Sequence, residues 1–242
     1  QKKKKIFIVD NLSTGFKKLL NKKAQFTNLN ILNTTKLKKI IVENKIDSII
    51  HLAASLSIGI GEKNPKFYYK NNVLGTKSLL KACSNSLVKN FIFSSTAAVY
   101  KEGKKIVSEK SKVIPKSVYG KTKLLAEKQI ILNCKKMKIN YGILRYFNVC
   151  GASPSGKIGM MSKGDHLFKN ISVAVMKKKP IIKIYGNNYN TPDKTAIRDF
   201  IHVSDLADVH YQVLKIISKT KKSKILNCGY SRGLSVRQVV DE

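Results

Sequence analysis

Acidic residues are scarce in this chain. Against 47 lysines and arginines stand only 14 aspartates and glutamates, a formal net charge of +33. Arginine is scarcer still, with only Arg145, Arg198, Arg232 and Arg237 among those cations. An excess of this size raises the prospect of a nucleic acid or an anionic membrane as partner. The arginine fork is what grips phosphates and reads bases, however, and the lysines are scattered along the whole chain. A compositional drift toward Lys, Asn and Ile accounts for the charge better than a selected binding face, so no specific nucleic-acid partner is expected. Cysteine is sparse too: Cys83, Cys134, Cys150 and Cys228 lie far apart with no Cys-x-x-Cys. That excludes a zinc ribbon or a disulfide framework and leaves buried thiols in a reducing compartment. His51, His166, His202 and His210 show no His-x-x-x-His ligand spacing, so no metal is expected. No apolar run reaches the ~18 residues that span a membrane. The basic start, Gln1 to Lys5, leads into an apolar stretch too short for a secretory signal. A cytoplasmic protein without membrane attachment is expected.

What is present is ordinary globular composition: 242 residues, 43% hydrophobic and 25% charged, enough for one large domain or two small ones. Short β-rich runs alternate with helical patterns. Strands are expected at Lys5–Asp10, Asp47–Ala54, Asn90–Ser95, Ile139–Phe147 and Lys224–Cys228, and helices at Phe67–Ser86 and Val118–Lys136. Ser235 stands as the cap of a further helix start over Ser235–Glu242. Strands with little polar alternation are buried on both faces. Their alternation with helices implies an α/β fold, a Rossmann-like doubly wound parallel sheet. In such sheets ligands bind beyond the carboxyl ends of the strands. From Gly151 onward the style changes. Polar loops rich in Gly, Pro, Ser and Asn run over Gly151–Gly164 and Tyr185–Lys194, and long loops of this kind are usually functional. The expected division is a dinucleotide-binding domain over residues 1–150 and a smaller, mainly substrate-binding part over 151–242, with segments returning to the first.

Three features carry chemistry. Tyr119 and Lys123 stand at helical spacing near a helix start and share one face. A free tyrosine, with a pKa near ~10, is too weak an acid to serve as a base at neutral pH; a nearby ammonium favours phenolate and is expected to pull that value down, giving a poised acid/base. Upstream, Phe91-Ile92-Phe93 runs into Ser94-Ser95-Thr96, a hydroxyl cluster at a strand's carboxyl end, where a substrate hydroxyl can be gripped or a strand simply capped. Asp10 ends the first strand and is followed by Asn11-Leu12-Ser13-Thr14-Gly15. An acid there either caps a turn or holds a ribose diol and repels a 2′-phosphate, which selects NAD over NADP.

Taken with these features, the chain resembles the extended short-chain dehydrogenases/reductases that act on nucleotide sugars, and within them the UDP-glucose 4-epimerase branch. The stretches that carry the resemblance are Val9–Gly15, Lys89–Thr96, Leu144–Ala152, and Tyr185–Tyr189 leading into Ile197–Ala207. It implies NAD as cofactor, with Asp10, Asn11, Leu12, Ser13, Thr14 and Gly15 at the adenosine ribose and Asn30 and Ile31 at the adenine. Leu52, Ala53 and Ala54 would lie along the cofactor, Asn71 would reach it from its helix, and Phe147 would pack near the nicotinamide. Thr96, Tyr119 and Lys123 would be catalytic, Lys123 also binding the nicotinamide ribose. Thr96, Asn148, Leu167, Tyr185 and Arg198 would hold the UDP-sugar. Leu167 and Tyr185 read equally well as core residues. The activity implied is interconversion of UDP-glucose and UDP-galactose through a transient 4-keto sugar, in a homodimer. UDP-xylose/arabinose and UDP-N-acetylhexosamine 4-epimerases remain alternatives, as does an inactive basic remnant. Ala97-Ala98 stands where the related 4,6-dehydratases carry an Asp-Glu pair, which argues against elimination.

Several positions depart from the family pattern. Its Gly-x-x-Gly-x-x-Gly turn, which cradles a pyrophosphate at a helix N-terminus, does not occur; Gly15 is the first glycine. Asn30 replaces an aspartate, Asp165-His166-Leu167 stands where relatives often have Asn-Asn-Leu, and Leu56 replaces a lysine found in some of them. The expectation drawn from this is a fragment lacking both termini, inactive and poorly folded when made alone, with its sheet interrupted beside Ile8 and Ile50.

Overall fold

The computed structural model describes residues 4–103, 106–161 and 166–242; Asp165 lies outside them. Two compact units are present. The first comprises Gln1–Arg145 and His210–Leu226, the second Tyr146–Val209 and Asn227–Glu242.

The first unit opens with β1 (Phe7–Asp10) and β2 (Gln25–Asn28), which pair in parallel. Helix α1 (Thr34–Glu43) follows, begun by Asn33, whose side chain accepts from the Lys36 amide at 3.0 Å. It buries Leu37 and Ile41, neighbours at i and i+4 on one face. After β3 (Ser48–His51) come the short helices α2 (Ile58–Lys63) and α3 (Pro65–Tyr68), a π-helical stretch at Tyr69–Leu74, and α4 (Gly75–Cys83). Next are β4 (Asn90–Thr96), the long helix α5 (Val118–Met137) and β5 (Asn140–Tyr146). The core sits where β4 meets α4 and α5: Phe91 and Phe93 are buried there together with Leu80, Ala126 and Ile130.

In the second unit β6 (Asn148–Cys150) pairs in parallel with β7 (Ile197–His202), and α6 (Leu167–Val175) lies between them in sequence. Helix α7 (Val203–Thr220) begins in this unit but continues into the stretch His210–Leu226 of the first, where it leads to β8 (Lys224–Cys228). The strand β9 (Gly233–Ser235) runs antiparallel to β7, and α8 (Val236–Asp241) follows it. Ser235 caps α8 as the sequence predicts, in a full capping box with Gln238.

The strand and helix assignments hold with three differences. Several elements have no counterpart in the sequence reading, among them β2, α1, β6, α6, β7, β9 and the long helix α7. The run Asp47–Ala54 is strand only as far as His51; Leu52 is 58% exposed and the chain leaves the sheet. The helix expected over Phe67–Ser86 is split by the π-helical stretch. The central sheet has the order β3-β4-β5-β8, while β1 and β2 form a sheet of their own. The interruption expected beside Ile8 and Ile50 is therefore present among the described residues: β3 is an edge strand, with Ile50 44% exposed.

Candidate active site

The site grows from the contact between the end of β4 and the start of α5, both in the first unit. Strand β4 is buried until Thr96, which is half-buried and caps a turn of 3₁₀ helix at Ala97–Val99, its Oγ1 accepting from the Ala98 amide at 3.1 Å. Helix α5 begins under double capping. Ser117 Oγ accepts from the Gly120 amide at 3.1 Å, and the Glu62 carboxylate accepts from the Val118 amide at 2.8 Å, a favourable anion at a helix N-terminus. The first turn of α5 lies directly on the 3₁₀ turn. A Cβ at Gly120 would collide with the Ala98 carbonyl oxygen, so only glycine permits this approach. The result sets the Thr96 hydroxyl beside the Tyr119 phenol. One helical turn on, Lys123 is 1% exposed, with Nζ 4.4 Å from the centroid of the Phe93 ring. The structure thus brings Thr96, Tyr119 and Lys123 together. Ser94 and Ser95 are buried beneath them, Ser95 donating to Glu127, and neither is offered to a substrate.

The electrostatics correct one expectation. Burial pushes the Tyr119 phenol up to about 12, against the adjacent Thr96 hydroxyl, which favours the phenolate. Burial likewise pushes the Lys123 ammonium down to about 7, with Glu127 pulling the other way. Lys123 does not lower Tyr119 in the protein by itself. Desolvation sets the shift, and Lys123 is not among the groups that move the phenol. Tyr119 is therefore a neutral phenol near pH 7, while Lys123 stands close to its titration midpoint.

Beneath this pair, buried His51 bonds Thr76 through Nε2 and Oγ1 at 2.9 Å. The Thr76 hydroxyl donates to the Asn72 carbonyl at 2.6 Å, so it must accept from the imidazole, which fixes the Nε2–H tautomer. Burial, aided by Lys123, pushes His51 down to about 3.

The loop after β3 is stapled to the same helix. Asn72 Oδ1 accepts from the Ser55 amide at 2.7 Å, while its Nδ2 donates to the Ser55 carbonyl and to Thr122 Oγ1, each at 3.1 Å. Thr122 in turn donates to the Tyr119 carbonyl at 2.8 Å. Asn71 donates to Ser55 Oγ at 3.0 Å. The π-helical stretch makes this possible by turning both asparagines of the pair toward Leu52–Ser55, a common use of π-bulges. Sequence reasoning singled out Asn71 and missed Asn72, Ser55, Thr122 and His51. The doubled asparagine was the available signal.

At the end of β1, Asp10 Oδ1 accepts from the Leu12 amide at 2.6 Å and Asn11 Oδ1 from the Ser13 amide at 3.0 Å. The carboxylate thus caps a turn, as the plainer reading of Asp10 holds, and its second oxygen remains open to a donor. A Cβ at Gly15 would stand 3.4 Å from Asp10 Oδ1, an ordinary contact distance. Asn30 is exposed and caps its own turn at the Leu32 amide, 2.9 Å away, with Ile31 half-buried beside it. Leu52 and Ala53 are exposed and Ala54 half-buried. An open carboxylate oxygen near exposed Asn11, Ser13 and Thr14 suits the hydroxyls of an adenosine ribose, so these residues fit the adenosine end of NAD.

In the second unit, Phe147 donates its amide to the Cys228 carbonyl at 3.3 Å, and Asn148 donates its amide group to the Asp199 carbonyl at 3.4 Å. Leu167 opens α6 and is half-buried. Tyr185 is 82% exposed, which removes its reading as a core residue. Arg198 lies exposed on β7, bonded only to its neighbour's carbonyl at 3.0 Å. Among the described residues no group of three or more His, Cys, Asp or Glu gathers as for a metal ion, and no helix is long and apolar enough to cross a membrane.

A parallel α/β core with a threonine at one strand end, facing a tyrosine and lysine on the next helix, defines an enzyme of dinucleotide-dependent chemistry. Residues 1–229 match the NAD dependent epimerase/dehydratase family, and the chain belongs to it. It is similar to the UDP-glucose 4-epimerase of Lactobacillus helveticus, 38% identical over 98% of this chain and 72% of that protein. That of Azospirillum brasilense is 36% identical over 96% of this chain and 67% of the relative. Among solved structures, UDP-glucose 4-epimerase from Brucella ovis in complex with NAD superposes with a TM-score of 0.91 at 34% identity, over 97% of this chain and 73% of that one.

Proposed function

We propose that this protein interconverts UDP-glucose and UDP-galactose by NAD-dependent epimerisation at carbon 4. The observation that carries the reading is the Thr96 hydroxyl set beside the Tyr119 phenol, with Lys123 buried one turn along the same helix. Bound NAD supplies a hydride acceptor that becomes a hydride donor on the return. Tyr119 acts as a phenolate, the form that positive charge on Lys123 and on bound NAD would favour over the neutral phenol of the protein alone. It would take the sugar 4-hydroxyl proton while the hydrogen on C4 leaves as hydride, and would give the proton back when the 4-keto carbon is reduced on its other face. Thr96 bonds the same sugar oxygen and orients it. Lys123 holds the nicotinamide ribose and steadies charge on Tyr119. Ala97 and Ala98, small and locked in the 3₁₀ turn, offer no acid with which to eliminate a neighbouring hydroxyl. Asp10, the residues Asn11 to Gly15, Asn30, Ile31, Leu52 to Ala54, Asn71 and Phe147 are assigned to NAD. Asn148, Leu167, Tyr185 and Arg198 are assigned to the nucleotide sugar, Arg198 through its diphosphate. On this reading the first unit serves the cofactor and the second mainly the substrate, and the protein works as a cytoplasmic homodimer with no specific nucleic-acid partner.

The test is turnover of UDP-galactose with NAD present. The parent should form UDP-glucose. Tyr119→Phe should lose about 10²–10⁴-fold in kcat, the usual contribution of a general base, while nucleotide-sugar binding survives. A 4-keto-6-deoxy product, or an unimpaired Tyr119→Phe variant, would reject the reading.

A further inference from the structure

Lys123 buries its charge against a side chain that the proposed chemistry does not use. The residue is 1% exposed, although a lysine ordinarily lays only its stem on apolar surface and keeps its ammonium in water. Its Nζ stands 4.4 Å from the centroid of the Phe93 ring, within the ~6 Å over which a ring face attracts a cation. None of the ion pairs among the described residues involves Lys123. Glu127, one turn further along α5, spends its carboxylate on Ser95 and on Arg145, whose Nε lies at 3.0 Å and Nη2 at 2.6 Å. The ring is in turn held still. Phe93 is 1% exposed on β4 and stands in register with His51 on β3, whose own ring lies 5.4 Å away, centroid to centroid. His51 is anchored on Thr76. A place in the core accounts for the apolar bulk of Phe93, and a leucine would supply that too. It does not account for an ammonium laid over the ring, since an unpaired charge in the interior is costly. The ring quadrupole does: its negative face attracts an ammonium and not a neutral amine, and most strongly where water is excluded.

We propose that Phe93 is a positioning residue for the reaction: the face of its ring holds the Lys123 ammonium in place, where it can serve the nicotinamide ribose and the charge on Tyr119. The inference rests on the function proposed above.

Phe93→Leu leaves a cavity in the core and can fail to fold. The decisive series therefore replaces Phe93 by phenylalanines carrying one, two and three ring fluorines, which keep the shape of the ring and drain negative charge from its face stepwise. With UDP-galactose, kcat should fall with each fluorine, by about tenfold over the series, a factor within reach of a desolvated cation–π contact. KM for the nucleotide sugar should hold, because Lys123 is assigned to the cofactor. The same series in a Lys123→Met background separates this hold from core packing, since the ring there meets no cation. Each fluorine should lower the thermal midpoint more in the parent than in Lys123→Met. A kcat indifferent to fluorination overturns the proposal. So does an equal thermal response in the two backgrounds, which would mean that the ring only fills the core. A parent without epimerase activity would reject the proposed function, while the comparison of backgrounds would still decide whether Phe93 holds the ammonium.

Discussion

His51 and Lys123 are bases that folding makes harder to protonate, and that ties stability to pH. The unfolded His51 binds a proton near 6.5 and the folded one only near about 3. Between those values the unfolded state holds the extra proton. The stabilisation is therefore complete above pH ~6.5 and is lost as pH falls toward ~3, by ~1.4 kcal/mol per pH unit at most. His51→Gln keeps a donor for Thr76 but removes this titration. Urea midpoints recorded from pH 7 to pH 4 should fall less steeply for the variant than for the parent; parallel curves would show that the imidazole is not held neutral. Lys123 acts in the same direction at higher pH, from about 7 to its ordinary 10.5. The pairing of Tyr119 with Lys123 was legible in the sequence from its helical spacing, and Thr96 was singled out within its hydroxyl cluster by the family resemblance. The sign of the Tyr119 shift was not, because it depends on how much water is excluded, and spacing says nothing of that. Glu127 escaped notice for a related reason: its partners Ser95 and Arg145 are 32 and 18 residues away.

Two elements place the catalytic side chains, and each depends on a small feature. The first turn of α5 rests on the Ala98 carbonyl only because residue 120 is glycine. Gly120→Ala must push that turn outward and draw Tyr119 away from Thr96. Overpacking of this kind costs typically 1–3 kcal/mol, and a small displacement of a reacting group can cost ~10²-fold in rate. Turnover should therefore fall further than the loss of stability would explain. A variant that is destabilised yet fully active per folded molecule would show that the close approach serves folding alone. At this scale α5 and β4 were legible, while several short elements and the 18-residue α7 were not. Helix α5 and strand β4 follow from sustained patterns of buried residues, and β8 begins and ends where its apolar run does. The four residues of β2, Gln25–Asn28, carry a single apolar side chain, so neither a buried-strand run nor an alternation could be read there. The run into Leu52–Ala54 continues apolar after β3 has ended because Asn72 takes both the amide and the carbonyl of Ser55, an allegiance fixed by residues distant in sequence.

For the whole molecule the dominant quantity is charge. Few of the 47 cations have a close anionic partner among the described residues: Lys39 with Glu43 and Lys116 with Glu102 form exposed pairs, at 3.8 and 3.2 Å, and only Arg145 with Glu127 is buried. Exposed pairs contribute little, so the surface is left with a net +33 that repels itself. Raising ionic strength shortens the Debye length, to about 10 Å at 0.1 M, and this repulsion is what it screens first. The thermal midpoint should therefore climb with added potassium chloride at low ionic strength and level off beyond ~0.2 M. The same lysines release counterions when they meet a polyanion but lack the forked geometry that reads a base. Any binding to DNA or RNA should be weak at physiological salt, should fall linearly in log affinity against log salt, and should be equal for scrambled sequences. Each measurement checks the other. If the charge were a selected nucleic-acid face, affinity would separate one sequence from another at constant salt, and arginine would have to be found at the contact. If it is compositional drift spread over a folded enzyme, salt should stabilise the fold and weaken polyanion binding over the same range of ionic strength, because one unscreened field underlies both.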